Sequence, residues 1–204
     1  MKYFNQALWF LFVFLAIGIG LYPLVYFFID ESQGLLSQKS PEILESTFWN
    51  IAFRLHIFAG GIALLTGWSQ FSSRLRISRL SLHRTLGKIY VTAVLISGLA
   101  GLYIAHYATG GAVSRWGFGL LAIAWLTTTG AAFSKIKSME IDAHQNWMIR
   151  SYALAFAAVT LRIYLPLMQA VMGMNFIDAY RIVAWLCWVP NLLAAELMVR
   201  MMRR

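Results

Sequence analysis

The chain has 204 residues, of which 60% are hydrophobic and 12% charged. An average soluble domain carries roughly 25% charged residues, so the composition excludes an ordinary soluble protein and points to a membrane one. The net charge of +9 does not indicate a nucleic-acid partner, because the basic residues flank apolar runs instead of forming one stripe. A single cysteine, Cys187, excludes an intrachain disulfide, a cysteine-based metal cluster and a covalent haem-attachment motif. The aromatic content of 15%, with eight Trp, suits a chain that meets lipid headgroups at many points.

A membrane-spanning helix needs about 20 mostly apolar residues. The first such run covers positions 8–28, behind Lys2. A signal peptide would have an apolar core of roughly 7–15 residues and a small-residue cleavage site. This run is longer and ends in Tyr26, Phe27 and Phe28, so we read it as a retained helix. The link that follows contains Ser40-Pro41-Glu42, a helix-start signal that predicts a short amphipathic helix on the membrane surface. Further runs cover 51–71, 86–107, 116–134, 147–172 and 179–198. The pattern predicts an all-α, six-transmembrane-helix bundle over residues 1–204, one transmembrane domain whose four-helix core is helices 2 to 5.

Lys/Arg asymmetry sets orientation. One face collects Lys2, Arg74, Arg76, Arg79, Arg84, Lys88, Lys135, Lys137, Arg150, Arg200, Arg203 and Arg204, twelve of the seventeen basic residues. The opposite face has Lys39, Arg54, Arg115 and Arg181, with Arg162 inside a span. The expected topology has both chain ends in the cytoplasm.

Polar groups within a bilayer are costly and merit a functional hypothesis. All four histidines lie near helix ends: His56 and His106 on the outer side, His83 and His144 on the cytoplasmic side. At 100° per residue, His56 shares a face with Gly60, Ala63, Gly67, Gln70 and Arg74. His83 shares one with Gly87, Tyr90, Val94 and Gly101, and His144 with Met148, Ser151, Ala155, Ala158 and Arg162. Close helix–helix packing explains small residues in such stripes, but not a histidine at the head of each. A b-type haem explains both, since it needs axial imidazoles from facing helices, a flat slot and cations or donors for its propionates. His56/Gly60 and His83/Gly87 each place a ligand and a slot on one face. His83 and His106 are about 34 Å apart along their helix and differ by about 140° in direction, so they cannot serve one haem. The expected inner iron ligands are His83 and His144, with Gln70, Arg74, Arg84 and Lys88 near the propionates; His56 and His106 form the candidate outer pair. Arg162 returns to the face of His144 about 27 Å further out. It is expected either to reach the outer interface and bond backbone carbonyls or to face His56 and bind an anionic group. Pro166, one turn later, is expected to loosen that helix.

The segments LHIFAGGIALLTGWSQF, LHRTLGKIYV, HQNWMIRSYALAFAAVTLRIYLP and AWLCWVPNLLAAE resemble the bacterial membrane proteins grouped as domain-of-unknown-function family 2306. That resemblance implies a bacterial inner membrane and no established activity. More distantly, the chain resembles the cytochrome b561-type membrane cytochromes, in which helices 2 to 5 each begin with a haem-ligand histidine and pair as 2/4 and 3/5. His56, His83 and His144 match three of those starts. Helix 4 begins SRWGFGL, with Arg115 and Trp116 where the fourth is expected. This leaves three outcomes for the outer site: His106 substitutes, the site holds no haem, or it binds something else such as a quinone.

The leading expectation is therefore a membrane electron-transfer protein with one or two b-type haems, linked to quinol oxidation or ferric reduction and in contact with lipids and other redox subunits. The alternative is a haem-free carrier of small molecules or lipids, or a structural subunit, with Arg54, Arg162 and Glu196 as pathway or ion-pair residues. A histidine metal site helped by Glu42, Glu45 or Asp178 is a third reading.

Overall fold

The computed structural model describes residues 6–28 and 36–202. Lys2, Arg203 and Arg204, counted in the charge asymmetry, and positions 29–35 of the longest link lie outside the described residues. Six helical segments are long and apolar enough to cross a membrane: Gln6–Phe27, Thr47–Phe71, Leu80–Ala105, Ala112–Lys137, Ile141–Met172 and Phe176–Met202, here the first to sixth spans. Side chains such as Phe10 and Phe14 are 71% and 72% exposed. Lipid tails solvate such a surface, and helices satisfy their own backbone groups there.

The third, fourth and fifth spans begin four to six positions earlier than the apolar runs at 86, 116 and 147. Their first turns carry His83 and Arg84, Ser114 and Arg115, and His144. Hydropathy marks the edge of the hydrocarbon, whereas backbone hydrogen bonds carry the helix on into the interface. The link before the second span forms the expected short helix, Pro41–Glu45, with Ser40 at its N-cap position. A second one, Ser73–Ser78, follows the second span and is capped by the Ser72 side chain accepting from Leu75 N.

The second and third spans share the most extensive interface, followed by the fourth with the first half of the fifth, and the third with the fourth. The first span packs on the second and the sixth on the fourth and fifth. Phe12 joins the first span to the fifth, stacking on Phe156 at 5.1 Å and meeting Tyr152 edge-on at 5.6 Å. Close approaches depend on glycine. A Cβ on Gly61 would stand 2.5 Å from the Gly20 carbonyl, and one on Gly117 would stand 2.8 Å from that of Ala184. Small residues permit this backbone proximity where lipid supplies no hydrophobic drive.

The fifth and sixth spans are not continuous helices. The fifth divides into Ile141–Ala155 and Ala157–Met172, the sixth into Phe176–Leu186 and Val189–Met202. In the sixth span the cause is Pro190, which cannot donate to the preceding turn. In the fifth, Pro166 withholds one backbone donor, yet Ala157–Met172 runs through it without a break. The break lies ten residues earlier, at Phe156. There the Thr160 hydroxyl back-bonds to the Phe156 carbonyl at 3.0 Å, a contact that bends helices. Asn191 ties the two breaks together. Its amide nitrogen donates to the carbonyls of Cys187 (2.9 Å) and Ala153 (3.3 Å) and to Thr160 Oγ1 (2.8 Å).

Candidate functional site

Six alternating spans put Gln6 and Met202, the first and last described residues, at one end of the bundle. His83 and His144 lie at that end, in the first turns of the third and fifth spans. His144 Nδ1 lies 2.8 Å from the Ala132 carbonyl of the fourth span. A carbonyl only accepts, so Nδ1 carries the proton and Nε2 keeps a free lone pair. His83 Nδ1 is buried without a hydrogen-bond partner, and the ring sits within Coulombic range of Arg76, His144 and Arg84. Gln70 is buried, and its Oε1 would be 3.4 Å from a Cβ on Gly87. Gln70 therefore stands in the space that the glycine opens, held at its amide by Ser69 Oγ at 3.3 Å.

The structure corrects one member of this cluster. The stripe from Gln70 to Arg74 assumes an unbroken helix, but the α-helix of the second span ends at Gly67, and the chain restarts at Ser73. That change of register leaves Arg74 exposed. Arg76 turns inward instead, donating to the Gln70 carbonyl at 3.4 Å and to Ser73 Oγ at 3.2 Å. Arg84 and Lys88 are exposed on the third span.

Toward mid-bundle the interior is closed. The rings of Tyr152 and Tyr90 fill the hollow at Gly67, where a Cβ would meet them at 2.3 and 2.8 Å. A ring of hydrogen bonds joins the third, fourth and fifth spans. Trp125 Nε1 donates to the Tyr90 hydroxyl (3.5 Å), which meets Ser151 Oγ (2.7 Å). Ser151 Oγ meets Thr129 Oγ1 (2.6 Å), and Thr129 Oγ1 donates to the Trp125 carbonyl (2.7 Å). Each hydrogen has an acceptor, so the circuit is fully satisfied and rigid.

The other half of the bundle holds a cavity of about 220 Å³. It runs from Lys39 and Trp49 at the rim to Leu64, Trp125 and Leu154 at its floor. Trp49 and Leu64 are about 22 Å apart along their helix, so the cavity is long and upright. Its walls are apolar, and among the described residues no carboxylate lines it. His56 contributes its imidazole. Nδ1 donates to the Ser97 carbonyl (2.9 Å), and the Ser97 hydroxyl in turn donates to the His56 carbonyl (2.9 Å). This fixes the tautomer and leaves Nε2 bare. Gly101 makes room for the ring, since a Cβ there would stand 2.8 Å from Nδ1. Gly60 also lines the cavity.

Arg162 lines the same cavity as His56. Its Nη1 donates to the Ala158 carbonyl at 3.0 Å, and its guanidinium lies 4.5 Å from the centre of the Tyr22 ring. It thus bonds a backbone carbonyl while lining the cavity that His56 also lines. Lys39 donates to the Tyr107 carbonyl and sits 5.9 Å above the Trp49 ring. Burial, aided by Arg115, pushes its amine down to about 8. Trp49 is 2% exposed, and its Nε1 is buried without a partner. His106 does not join this group: it caps the third span, is exposed, packs on Tyr107 and lies outside the cavity wall. The His56/His106 pair is therefore not assembled, because the helical twist between position 106 and the cavity face turns that side chain away. Glu196 forms a bidentate ion pair with Arg150, with Nη2–Oε2 at 2.9 Å. Among the described residues, no group of three or more His, Cys, Asp or Glu could hold a metal ion.

The sequence marks Lys39 and Arg76 only as charges that orient the chain, and assigns no site role to them or to Trp49 and Asn191. Only Asn191 lay in a distinctive motif, WVPN; the others take their places through link and helix-end geometry.

Together these features define an all-α, six-span integral membrane protein with a polar-headed interior cavity and a histidine pair at the opposite end. The family model for predicted membrane proteins designated DUF2306 matches residues 53–199, and the chain belongs to that family. No curated protein and no solved structure matches it, and the likeness to b561-type cytochromes has no support from these comparisons.

Proposed function

We propose that the protein is an electron-transfer protein of the bacterial inner membrane, with both chain ends cytoplasmic, and that His83 and His144 hold the iron of one b-type haem. The observation behind this reading is the pair itself. One imidazole is anchored through Nδ1 with Nε2 free, and beside it is a second whose buried nitrogen lacks a partner. A buried polar atom left unpaired demands an explanation, and two neighbouring imidazoles short of partners fit a shared iron. The donor set thus suits the group, and the space at Gly87 is closed only by the weakly held Gln70 side chain. Bound there, the haem would supply a one-electron couple. The chain's own residues have separate tasks. The Ala132 carbonyl fixes the His144 tautomer, as outer partners of ligating histidines do. Arg76 offers positive charge to carboxylates. The Tyr90–Ser151–Thr129–Trp125 circuit seals the floor of the site against water.

The test is an absorption spectrum of protein purified from haem-replete cells. The expected result is a Soret band and a low-spin α-band on reduction, both lost in His83→Ala and in His144→Ala. A Cβ on Gly87 makes only ordinary contact with Gln70, so Gly87→Ala should fold normally while perturbing a ring packed there. Absence of a Soret band in the wild-type protein refutes the reading. The haem-free carrier then moves ahead, favoured by the cavity around His56 and Arg162.

A further inference from the structure

We propose that the cavity around His56 and Arg162 binds one apolar molecule headed by a weakly acidic hydroxyl, such as a carboxylic acid or a hydroquinone. The headgroup lies between His56 Nε2 and the Arg162 guanidinium. This inference does not depend on the haem.

The chemistry follows from what the cavity offers. His56 cannot turn its other nitrogen inward, because Nδ1 is committed to Ser97. Its Nε2 therefore presents a lone pair that wants an O–H. Arg162 presents the converse need. A guanidinium has five N–H donors, and in this structure it donates to the Ala158 carbonyl and faces the Tyr22 ring. Among the described residues, no carboxylate pairs with it. An arginine inside a span is costly unless it is paired or hydrated. One acceptor at His56 beside several donors at Arg162 matches a group that gives one hydrogen and receives others. An acidic hydroxyl with a neighbouring oxygen does this, and a purely cationic or purely hydrocarbon ligand does not.

The rest of the cavity selects the body of the molecule. Below His56, towards mid-bundle, the walls are Gly60, Gly61, Leu64, Gly98 and Leu154, with no charged group among them. The length of about 22 Å between rim and floor and the volume of about 220 Å³ suit a slender tail. At the rim Lys39 and the unpartnered Nε1 of Trp49 add donors, so an acidic oxygen passing inward meets hydrogen-bond donors or cations at both levels. Asn191 and the two helix breaks lie beside the floor, where Cys187, Ala155 and Ala157 line the wall. Interrupted helices are where membrane proteins build mid-bilayer ligand sites.

The experiment uses the full chain in nanodiscs of zwitterionic lipid, titrated separately with radiolabelled oleic acid and with decylubiquinol. Saturable binding of one molecule per chain is expected for at least one probe, and which probe binds identifies the source of the headgroup. Arg162→Leu should weaken that binding at least ~10-fold, the loss expected for a charge-assisted hydrogen bond of about 1.5–3 kcal/mol, and Arg162→Lys should weaken it less. Ala158→Leu, which fills the cavity beside Arg162 without altering its charge, should abolish binding while leaving helicity and elution profile unchanged. If Arg162→Leu fails to accumulate, the Ala158→Leu comparison decides. Failure of both probes to saturate, or equal binding by Ala158→Leu and wild type, overturns the proposal. The absorption spectrum of the same samples reads the haem separately, so the two ideas can fail independently.

Discussion

Ser151→Ala tests whether the hydrogen-bonded circuit at the centre of the bundle holds three spans together. Ser151 and Tyr90 are fully buried. The substitution removes the 2.7 Å contact with Tyr90 and the 2.6 Å contact with Thr129. It leaves the tyrosine hydroxyl without an acceptor and Thr129 Oγ1 without a donor. A buried polar group left unpaired costs about 1–3 kcal/mol, while single interhelical bonds within membranes average about 0.6 and reach about 1.7 kcal/mol. Two short, fully enclosed bonds belong at the upper end of the second range, so the expected loss is about 2 kcal/mol. For a chain of this size that corresponds to a fall in thermal midpoint of roughly 4–8 °C, measured by the unfolding of purified protein in mild detergent. Tyr90→Phe should fall by a similar amount. Because the two share one bond, the double variant should lose about 1 kcal/mol less than the sum. A midpoint for Ser151→Ala within about 1 °C of wild type, on that same scale, or strictly additive losses, would refute the idea of a coupled circuit.

Gly67→Ala puts a methyl group 2.3–2.4 Å from the Tyr152 ring and 2.8 Å from that of Tyr90. Overpacking of this kind costs about 1–3 kcal/mol or more, and detergent-extracted protein should show a lowered midpoint or fail to accumulate. Lys39 has its pKa lowered by burial to about 8, so the unfolded chain binds more protons between there and the ordinary lysine value of 10.5. Stability should therefore rise as pH climbs through that window, and Lys39→Met should remove the rise; an identical pH slope in the variant would count against it. Cysteines placed at Ser37 and Ser78, on a Cys187→Ala background, should label from opposite sides of intact spheroplasts. Labelling of Ser78 from outside reverses the proposed orientation.

Six apolar runs of membrane-spanning length were legible in the chain, because the cost of exposing backbone or charge to hydrocarbon writes itself into local composition. The same economy of charge gathers most of the Lys and Arg beside the span ends expected on one face and makes the four histidines and Arg162 conspicuous. Helical periodicity also puts Gly60 on the face of His56 and Gly87 on that of His83. It failed wherever the helix stopped being regular. The stripe through Gln70 to Arg74 assumes one continuous helix, and the restart at Ser73 leaves Arg74 exposed and brings Arg76 to the Gln70 carbonyl. Pro166 is the evident irregularity of the fifth span, yet the break is at Phe156, where the Thr160 hydroxyl adds a bond to the Phe156 carbonyl and the distant Asn191 donates to that of Ala153. Nothing local could assign Nδ1 of His56 to Ser97, bring Lys39 and Trp49 to the cavity rim or leave His106 outside it. Composition and period report each helix against its solvent. Which side chains share a cavity depends on the rotation and depth of each helix against its neighbours, and those are set by contacts such as Gly61 on Gly20 and Gly117 on Ala184, between residues far apart in sequence.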